Sequence, residues 1–364
     1  MKYLITIILC LTPFGHFLLN KCDIWHSQGF IFQIGVLILL CYSFFEKPKR
    51  QVVNKPLGVL FAYMGLTTAI ICYITLATTR RYAVLIYQPL FNFLTFVIFY
   101  KVTTEYLTPK DINNILKWMS LSVGLVLIYC VVQIFNLDPF YRPLSSPIGT
   151  KQDFLVGTIG NSTHLAGYLA MCQPLFFKKG WYNYLALALI WIIIFMTSSA
   201  SGLIVGLSIL IFWLYMNKQY KYIGLLSLLL VVPFIIYRNH IAEFFSFNHR
   251  LEYWGILMQR WTLNPIFGSG LGILNAWKIN PQTTIWRHAH LEYLQVMVEL
   301  GIVGLGLVIW GIIDYYKRFI KSDLRIVSIF TGFLILCLFN FPCHLWLLAS
   351  IGMVGYSFPY ALEV

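Results

Sequence analysis

The chain has 364 residues, of which 59% are hydrophobic and 11% are charged, and its formal net charge is +13. Soluble globular proteins contain about 45–50% apolar and about 25% charged residues, so the composition excludes an ordinary water-soluble domain. Hydrophobic runs recur along the whole length and leave no room for a separate aqueous domain. A single integral membrane domain over 1–364 is therefore predicted.

The excess of positive charge would suit nucleic acid only if Lys and Arg were clustered on a polar face or tail. They occur instead in short groups between apolar runs, where they act as topology signals. With both termini in the cytoplasm, sixteen of the 26 basic and six of the 13 acidic residues lie inside, which leaves +10 inside and +3 outside. The predicted partner of this surface is a lipid bilayer, with no nucleic acid.

A helix that spans a membrane needs about 20 predominantly apolar residues. Such runs predict an all-α polytopic membrane protein with about twelve transmembrane helices. They lie near 3–20, 29–45, 57–77, 83–100, 118–136, 163–177, 182–197, 202–216, 223–237, 301–316, 326–340 and 346–361. An alternative for 181–216 is one long interrupted hairpin, because small polar residues break the run at 197–202.

Two predicted outer segments, roughly 137–162 and 238–300, are too long to be turns, and loops of this length are usually functional. The second, between spans nine and ten, is the predicted outer catalytic loop. Its residues His249–Trp261 alternate in the manner of an amphipathic helix that lies at the interface. Glycines 268, 270 and 272 follow Pro265 and predict a turn at the membrane surface; a phosphate-cradling loop is the alternative, but it requires a βαβ unit.

Polar residues crowd at the end of this loop, in Arg287, His288, His290 and Glu292. In a helix, His288 and Glu292 are i and i+4, so the two histidines are expected to point in different directions. Metal binding stays open, although no third ligand has suitable spacing, and so does a purely interfacial role. Together with Arg250, the cluster favours a site in which a neutral histidine accepts a hydroxyl proton and arginines bind a diphosphate.

The sequence also lacks several common catalytic motifs, and this limits the kind of reaction that the site can carry out. The sequence has no GxxxxGK[ST] nucleotide loop, no outer DxD for a divalent cation and no GxSxG. We therefore expect no metal and no cofactor, with the energy of the reaction supplied by the donor itself. The eight cysteines form no CxxC pair, and only Cys22 and Cys343 fall near membrane ends, so a disulfide between those two stays open.

Several motifs together carry a family resemblance over roughly 150–320. They are His290 followed ten residues later by Gly301 and then by Gly304, Arg250-x-x-x-Trp254, the turn from Pro265 to Gly272, and Gly160-Asn161 before Ala166. This pattern resembles the O-antigen ligase and polymerase superfamily of bacterial membrane glycosyltransferases. The resemblance implies a bundle like that of C-type glycosyltransferases in the bacterial inner membrane, with the active loop in the periplasm.

The resemblance also implies an activity in the synthesis of lipopolysaccharide and other surface polysaccharides. A metal-independent, inverting transfer would move a glycan from undecaprenyl diphosphate to a glycan, lipid-core or protein acceptor. His290 would be the base and Arg250 would bind the donor diphosphate, with supporting roles for His288, Glu292, Gly301 and Gly304.

Two positions depart from the family pattern. Leu291 stands where the family usually has Asn, Ser or Gln, and Ala200 stands where it commonly has an arginine. A second diphosphate contact would then come from Arg287, Arg142 or Lys151. The alternatives to a ligase are a polymerase of the same superfamily, or a carrier of a polyprenyl-linked glycan or small anion. A carrier is expected to have internal repeats, and none is found.

Overall fold

The computed structural model describes residues 1–15, 24–50, 54–78, 80–138, 155–226, 247–276 and 288–362, and within these ranges it contains helices and turns but no strand. This agrees with the predicted all-α class. The longer helices are α1 Lys2–Leu11, α2 Ile24–Ser43, α3 Lys55–Thr78, α4 Arg80–Tyr106, α5 Pro109–Ile134, α6 Ser162–Cys172, α7 Trp181–Met196, α8 Ala200–Met216, α9 Phe247–Trp261, α10 Glu292–Phe319, α11 Leu324–Leu336 and α12 Trp346–Leu362.

Two of the described helices, α5 and α10, are long and apolar enough to cross a membrane, and six shorter apolar helices accompany them. The predicted spans at 182–197 and 202–216 are two helices, α7 and α8, with Ser199 accepting a hydrogen bond from the Gly202 amide between them. Of the predicted ninth span at 223–237, only residues 223–226 are described, and they belong to a helical segment that begins at 220. The count of twelve spans stays a prediction.

The core of the bundle is built around α6. Ten of its eleven residues are buried, and its start is set by Asn161, whose side chain accepts a hydrogen bond from the His164 amide at 3.0 Å. The Asn161-Ser162-Thr163 sequence therefore serves as a helix cap. Gly202 of α8 lies so close to Ala166 of α6 that a methyl group on the glycine would overlap it. His164 is thus carried into the protein interior by a tightly packed helix.

One end of the bundle gathers the residues that were assigned to the inner side. Lys2 and Lys49 lie 3.4 and 3.5 Å from the carboxylate of Asp111. That carboxylate also completes a capping box with Thr108 at the start of α5. Arg50 donates hydrogen bonds to three backbone carbonyls at the same end, those of Thr104, Leu107 and Ala361, at 2.6–2.8 Å. Residues with a common predicted side therefore lie together.

Helix α10 is interrupted at Gly301, whose φ of +68° is left-handed. The predicted span beginning at 301 corresponds to the second half of this helix, while 292–300, assigned above to the outer loop, is helical as well. A methyl group on Gly301 would overlap the Ile266 carbonyl, and Gly268 approaches the Glu299 carbonyl equally closely. Only glycine fits both positions, since each combines a positive φ with direct backbone contact.

The turn at 264–272 caps this interruption from both sides. The amides of Ser269 and Gly270 donate to the carbonyls of Val298 and Glu299 at 2.9 and 2.8 Å, which are the last carbonyls of the first half. The amides of Ile302 and Val303 donate to carbonyls of the turn, those of Pro265 and Ile266, at 3.0 and 3.2 Å. The prediction of a turn is confirmed. A phosphate cradle is disfavoured because the amides it would use are already donated to α10.

Helix α9 includes residues 249–261, which were predicted to form an amphipathic helix, and its position at the membrane interface stays a prediction. Tyr253 and Leu257 are buried, whereas Leu251 and Met258 on the other side are exposed. The buried face packs against the first half of α10 and the segment before it, through Leu274, Ala289, Leu294 and Val298. The described residues 247–276 of the predicted outer loop therefore pack on the first half of α10 and the segment before it.

Candidate functional site

His290 lies in the irregular segment 288–291, directly before α10 begins at Glu292. Its φ of +54° is left-handed, which is uncommon for a residue other than glycine. The neighbouring backbone is held on both sides: the Trp254 indole donates to the Ala289 carbonyl at 2.7 Å, and the Ala289 amide donates to the Gln295 side chain at 3.2 Å. Helices α9 and α10 together therefore set the position of His290.

Three histidines surround one aromatic ring, that of Phe341. The ring of His288 stacks on it with centroids 4.7 Å apart, and that of His290 meets it edge-on at 4.5 Å. His164 of α6 lies 6.2 Å from the same ring. The prediction that His288 and His290 point in different directions was wrong, because residues 288–291 are not helical and both side chains converge on Phe341.

Arg250, in the first turn of α9, reaches the same region. One of its terminal nitrogens donates to the Phe339 carbonyl at 2.9 Å. Its Nε is buried and finds no acceptor among the described residues. A buried guanidinium donor without an acceptor costs free energy, and it would be satisfied by an oxygen of a bound anion. Arg250 and His290, predicted from the sequence to work together, are both anchored against the 339–341 stretch.

His290 is neutral at physiological pH. Burial lowers the pKa of His290 to about 4, and the positive charge of Arg250 and the proximity of His164 act in the same direction. Burial likewise lowers the pKa of His344, whose ring lies 4.3 Å from that of His288, to about 4. A neutral imidazole has a free lone pair, so His290 is in the state that can accept a proton.

Glu292, at the start of α10, is hydrogen-bonded to the loop at 337–344 that carries Phe341. Its side chain is buried, and it accepts a hydrogen bond from the Cys343 amide at 2.8 Å. Its own amide donates to the Cys337 carbonyl at 2.9 Å, and its carboxylate lies 3.6 Å from Nε2 of His344. The residue therefore fastens the loop that carries Phe341 to the start of α10.

The second buried carboxylate of this region is Glu299. It is 3% exposed, and it accepts hydrogen bonds from the Gln295 side chain and from the backbone of Gly272 and Leu274. Glu299 thus connects the glycine turn to the Gln295 side chain that holds Ala289. Gly304 has a packing role, since a methyl group there would overlap Leu300.

The two family departures have local explanations. Leu291 is the cap residue of α10 and makes no side-chain cap hydrogen bond; it packs instead against the buried face of α9. Asn or Ser at this position would cap the helix, so the replacement exchanges a cap for apolar contact. Ala200 is the first residue of α8, immediately after the cap Ser199.

Other predicted residues fall outside the described part of the chain. These are Arg287, Arg142 and Lys151, the candidates for a second diphosphate contact. Among the residues that are described, no group of three or more His, Cys, Asp or Glu is arranged to hold a metal ion.

The described helices, with the half-buried His290 and Arg250 packed among them, define an all-α protein that holds a polar site within an apolar bundle. A family model described as O-antigen ligase matches residues 185–309, a range that includes Arg250, His290, Gly301 and Gly304. The match confirms the resemblance to the O-antigen ligase superfamily, a bacterial membrane protein family of glycosyltransferase-like ligases and polymerases in surface polysaccharide synthesis. No curated protein matches the chain.

Proposed function

We propose that the protein transfers a glycan from an undecaprenyl-diphosphate carrier to an acceptor hydroxyl at the outer face of the bacterial inner membrane. The observation that carries the proposal is the placement of a neutral, half-buried His290 beside the charge of Arg250. A proton acceptor and an anion-binding group are what this transfer requires from the protein.

The chemistry is a single displacement. The acceptor oxygen attacks the anomeric carbon, the bond from that carbon to the diphosphate oxygen breaks, and the configuration inverts. His290 takes the acceptor proton. The polyprenyl diphosphate leaves with an additional negative charge, which Arg250 counters, so the residue stabilises the transition state more than the bound substrate.

The two residues are also linked electrostatically. The charge of Arg250 lowers the pKa of His290 in the unliganded protein. A diphosphate bound at Arg250 would offset that charge and raise the pKa, because opposite charges nearby favour the protonated imidazole. Donor binding would thus make His290 a stronger base when the acceptor hydroxyl arrives.

The test uses purified protein, a polyprenyl-diphosphate oligosaccharide and a panel of acceptors. We expect His290→Ala to reduce transfer by about 10²–10⁴-fold, the usual contribution of a positioned base. Arg250→Ala should reduce it as well. Arg260→Ala is the matched control, since Arg260 lies on an exposed position in the last turn of the same helix, and it should transfer at the parent rate.

Transfer by His290→Ala at the parent rate would overturn the proposal. Movement of labelled donor across proteoliposomes without bond formation would identify a carrier instead. The acceptors separate the remaining possibilities: a ligase uses the lipid core, a polymerase uses a second carrier-linked glycan, and a protein glycosyltransferase uses a polypeptide.

A further inference from the structure

Two cysteines enclose the short segment that carries the aromatic centre of the site. Cys337 is a buried residue at the end of α11, and Cys343 is an exposed residue in the turn Pro342–His344. Their thiols are within hydrogen-bonding reach of each other. Five residues separate them, and these include Phe339, whose carbonyl accepts from Arg250, and Phe341, around which the histidines pack.

Glu292 keeps the two cysteines together independently of their thiols. Its amide donates to the Cys337 carbonyl at 2.9 Å, and its carboxylate accepts from the Cys343 amide at 2.8 Å. A single buried residue on another helix thus fixes the backbone at both ends of the segment. The fold therefore holds the backbone of the two cysteines close to one residue, Glu292.

We infer that Cys337 and Cys343 form a redox-active dithiol site that is converted to an intramolecular disulfide. The co-reactant is an external disulfide, either small or on an oxidoreductase. One of its sulfurs bonds to Cys343 and the other leaves as a thiol; Cys337 then displaces the bound sulfur. Each cysteine loses its hydrogen, and the external disulfide is reduced to two thiols, so the exchange balances.

The order of the two steps follows from exposure. Cys343 is reachable from solvent and reacts first, whereas Cys337 is buried and resolves the mixed disulfide from within. The hydrogen bond with Cys337 and the charge of Glu292 raise the pKa of the Cys343 thiol. The thiol is therefore protonated at neutral pH, and because the thiolate is the nucleophile, the exchange should accelerate as the pH rises.

The alternative of a bond between Cys22 and Cys343 stays a prediction. Cys22 lies outside the described residues, while Cys343 already contacts Cys337. The bond would close a loop around Phe341 and limit its motion against His288 and His290. The inference does not rest on the proposed glycan transfer, since its readout is a covalent bond.

The experiment treats the folded, purified protein with oxidised glutathione at several pH values, alkylates the remaining thiols and identifies the peptides by mass spectrometry. We expect Cys337 and Cys343 in one cross-linked product, lighter than the dithiol by two hydrogen atoms and formed faster at higher pH. Cys337→Ser should stop at a glutathione adduct on Cys343. Cys343→Ser should form an adduct several-fold more slowly, and the control Cys41→Ser should cross-link like the parent.

The parent protein alone can overturn the inference, so a variant that fails to fold does not obscure it. Full alkylation of both cysteines after oxidant treatment of the folded protein would contradict the site. A bond from Cys343 to any other cysteine, Cys22 included, would contradict the pairing.

Discussion

His290 is held in a backbone conformation that an L-residue avoids, with φ at +54°. The left-handed region costs on the order of 1 kcal/mol for a residue other than glycine. It persists here because Trp254 and Gln295 hold the preceding residue through its carbonyl and its amide. Strained backbone conformations occur most often at functional sites. The strain at His290 therefore agrees with its proposed role as the base, which requires the side chain to point in one direction.

The pH dependence of glycan transfer should report the protonation of His290. Its pKa of about 4 lies below the ordinary histidine value of 6.5, so the base is neutral above pH 4 and is lost as the pH falls through that value. We expect the acid limb of kcat/KM for transfer near pH 4, measured as a pH–rate profile. Acid-treated protein returned to neutral pH serves as the control for denaturation.

An acid limb near pH 6.5 would contradict this prediction, because it would indicate an ordinary solvated histidine. Among the described residues, Arg250 and His164 both act on the His290 ring, and each lowers its pKa and disfavours its protonation.

Sequence reasoning identified His290, His288 and Arg250 because their residue types suit proton and anion chemistry. It missed Phe341 and His164, which are apolar or isolated in the sequence and meet His290 only through tertiary packing. Phe341 lies 51 positions beyond His290 in the chain, and no local pattern encodes that contact. The one available signal for His164 was its place in the Gly160-Asn161 motif.

The glycine turn at 264–272 and the interruption of α10 at Gly301 form one unit that is held together by backbone hydrogen bonds. Four hydrogen bonds join the turn to the two halves of α10. The hydroxyl of Tyr63 on α3 adds one bifurcated hydrogen bond, because its oxygen lies 2.7 Å from the Leu300 carbonyl and 3.1 Å from the Phe267 carbonyl. An interruption that would leave polar backbone groups unpaired in an apolar bundle is thereby satisfied.

Replacing Gly301 by Ala should strongly destabilise the folded protein at the contact between α10 and the glycine turn. The new methyl group would overlap the Ile266 carbonyl, and the positive φ is strained for alanine. We expect a loss of about 2 kcal/mol or more, read as a lower apparent Tm in detergent. Gly306→Ala in the same helix is the matched control, since nothing lies within 4 Å of a methyl group there. Equal melting of the two variants would show that the close approach is unimportant.

The start of the second half of α10 was predictable, because apolar periodicity resumes at Gly301. The helix before it was not, since Glu292, Gln295 and Glu299 read as polar loop residues. All three are buried, and their hydrogen-bond partners come from the glycine turn, the 288–291 segment and the 337–344 loop. A polar stretch that finds its partners elsewhere in the fold has no signature in its own sequence.

Across the whole molecule, Arg50 connects the most distant parts of the chain. It binds the carbonyls of Thr104 and Leu107 at the end of α4, and that of Ala361 in the last turn of α12. Only a planar guanidinium can serve three acceptors in this way, because its donors point in fixed, divergent directions. In the sequence Arg50 is one of many basic residues between apolar runs, and no pattern around it predicts this role.

Arg50→Lys should retain the charge and lose most of these hydrogen bonds. A single ammonium cannot reach all three carbonyls, so we expect a loss of about 2 kcal/mol and a lower apparent Tm in detergent. Lys47→Ala, at an exposed position of the same segment, is the control and should melt like the parent. If lysine supported the parent Tm, positive charge alone would account for the residue.

The hydrogen bond between Arg50 and the Ala361 carbonyl can form only late in the synthesis of the chain. The Ala361 carbonyl is made 311 residues after the arginine that binds it. At bacterial rates of about 5–20 residues per second, that interval is roughly 15–60 s. For this period the donor of Arg50 that binds Ala361 lacks that partner. The predicted inner end of the bundle can therefore close only after α12 has been made.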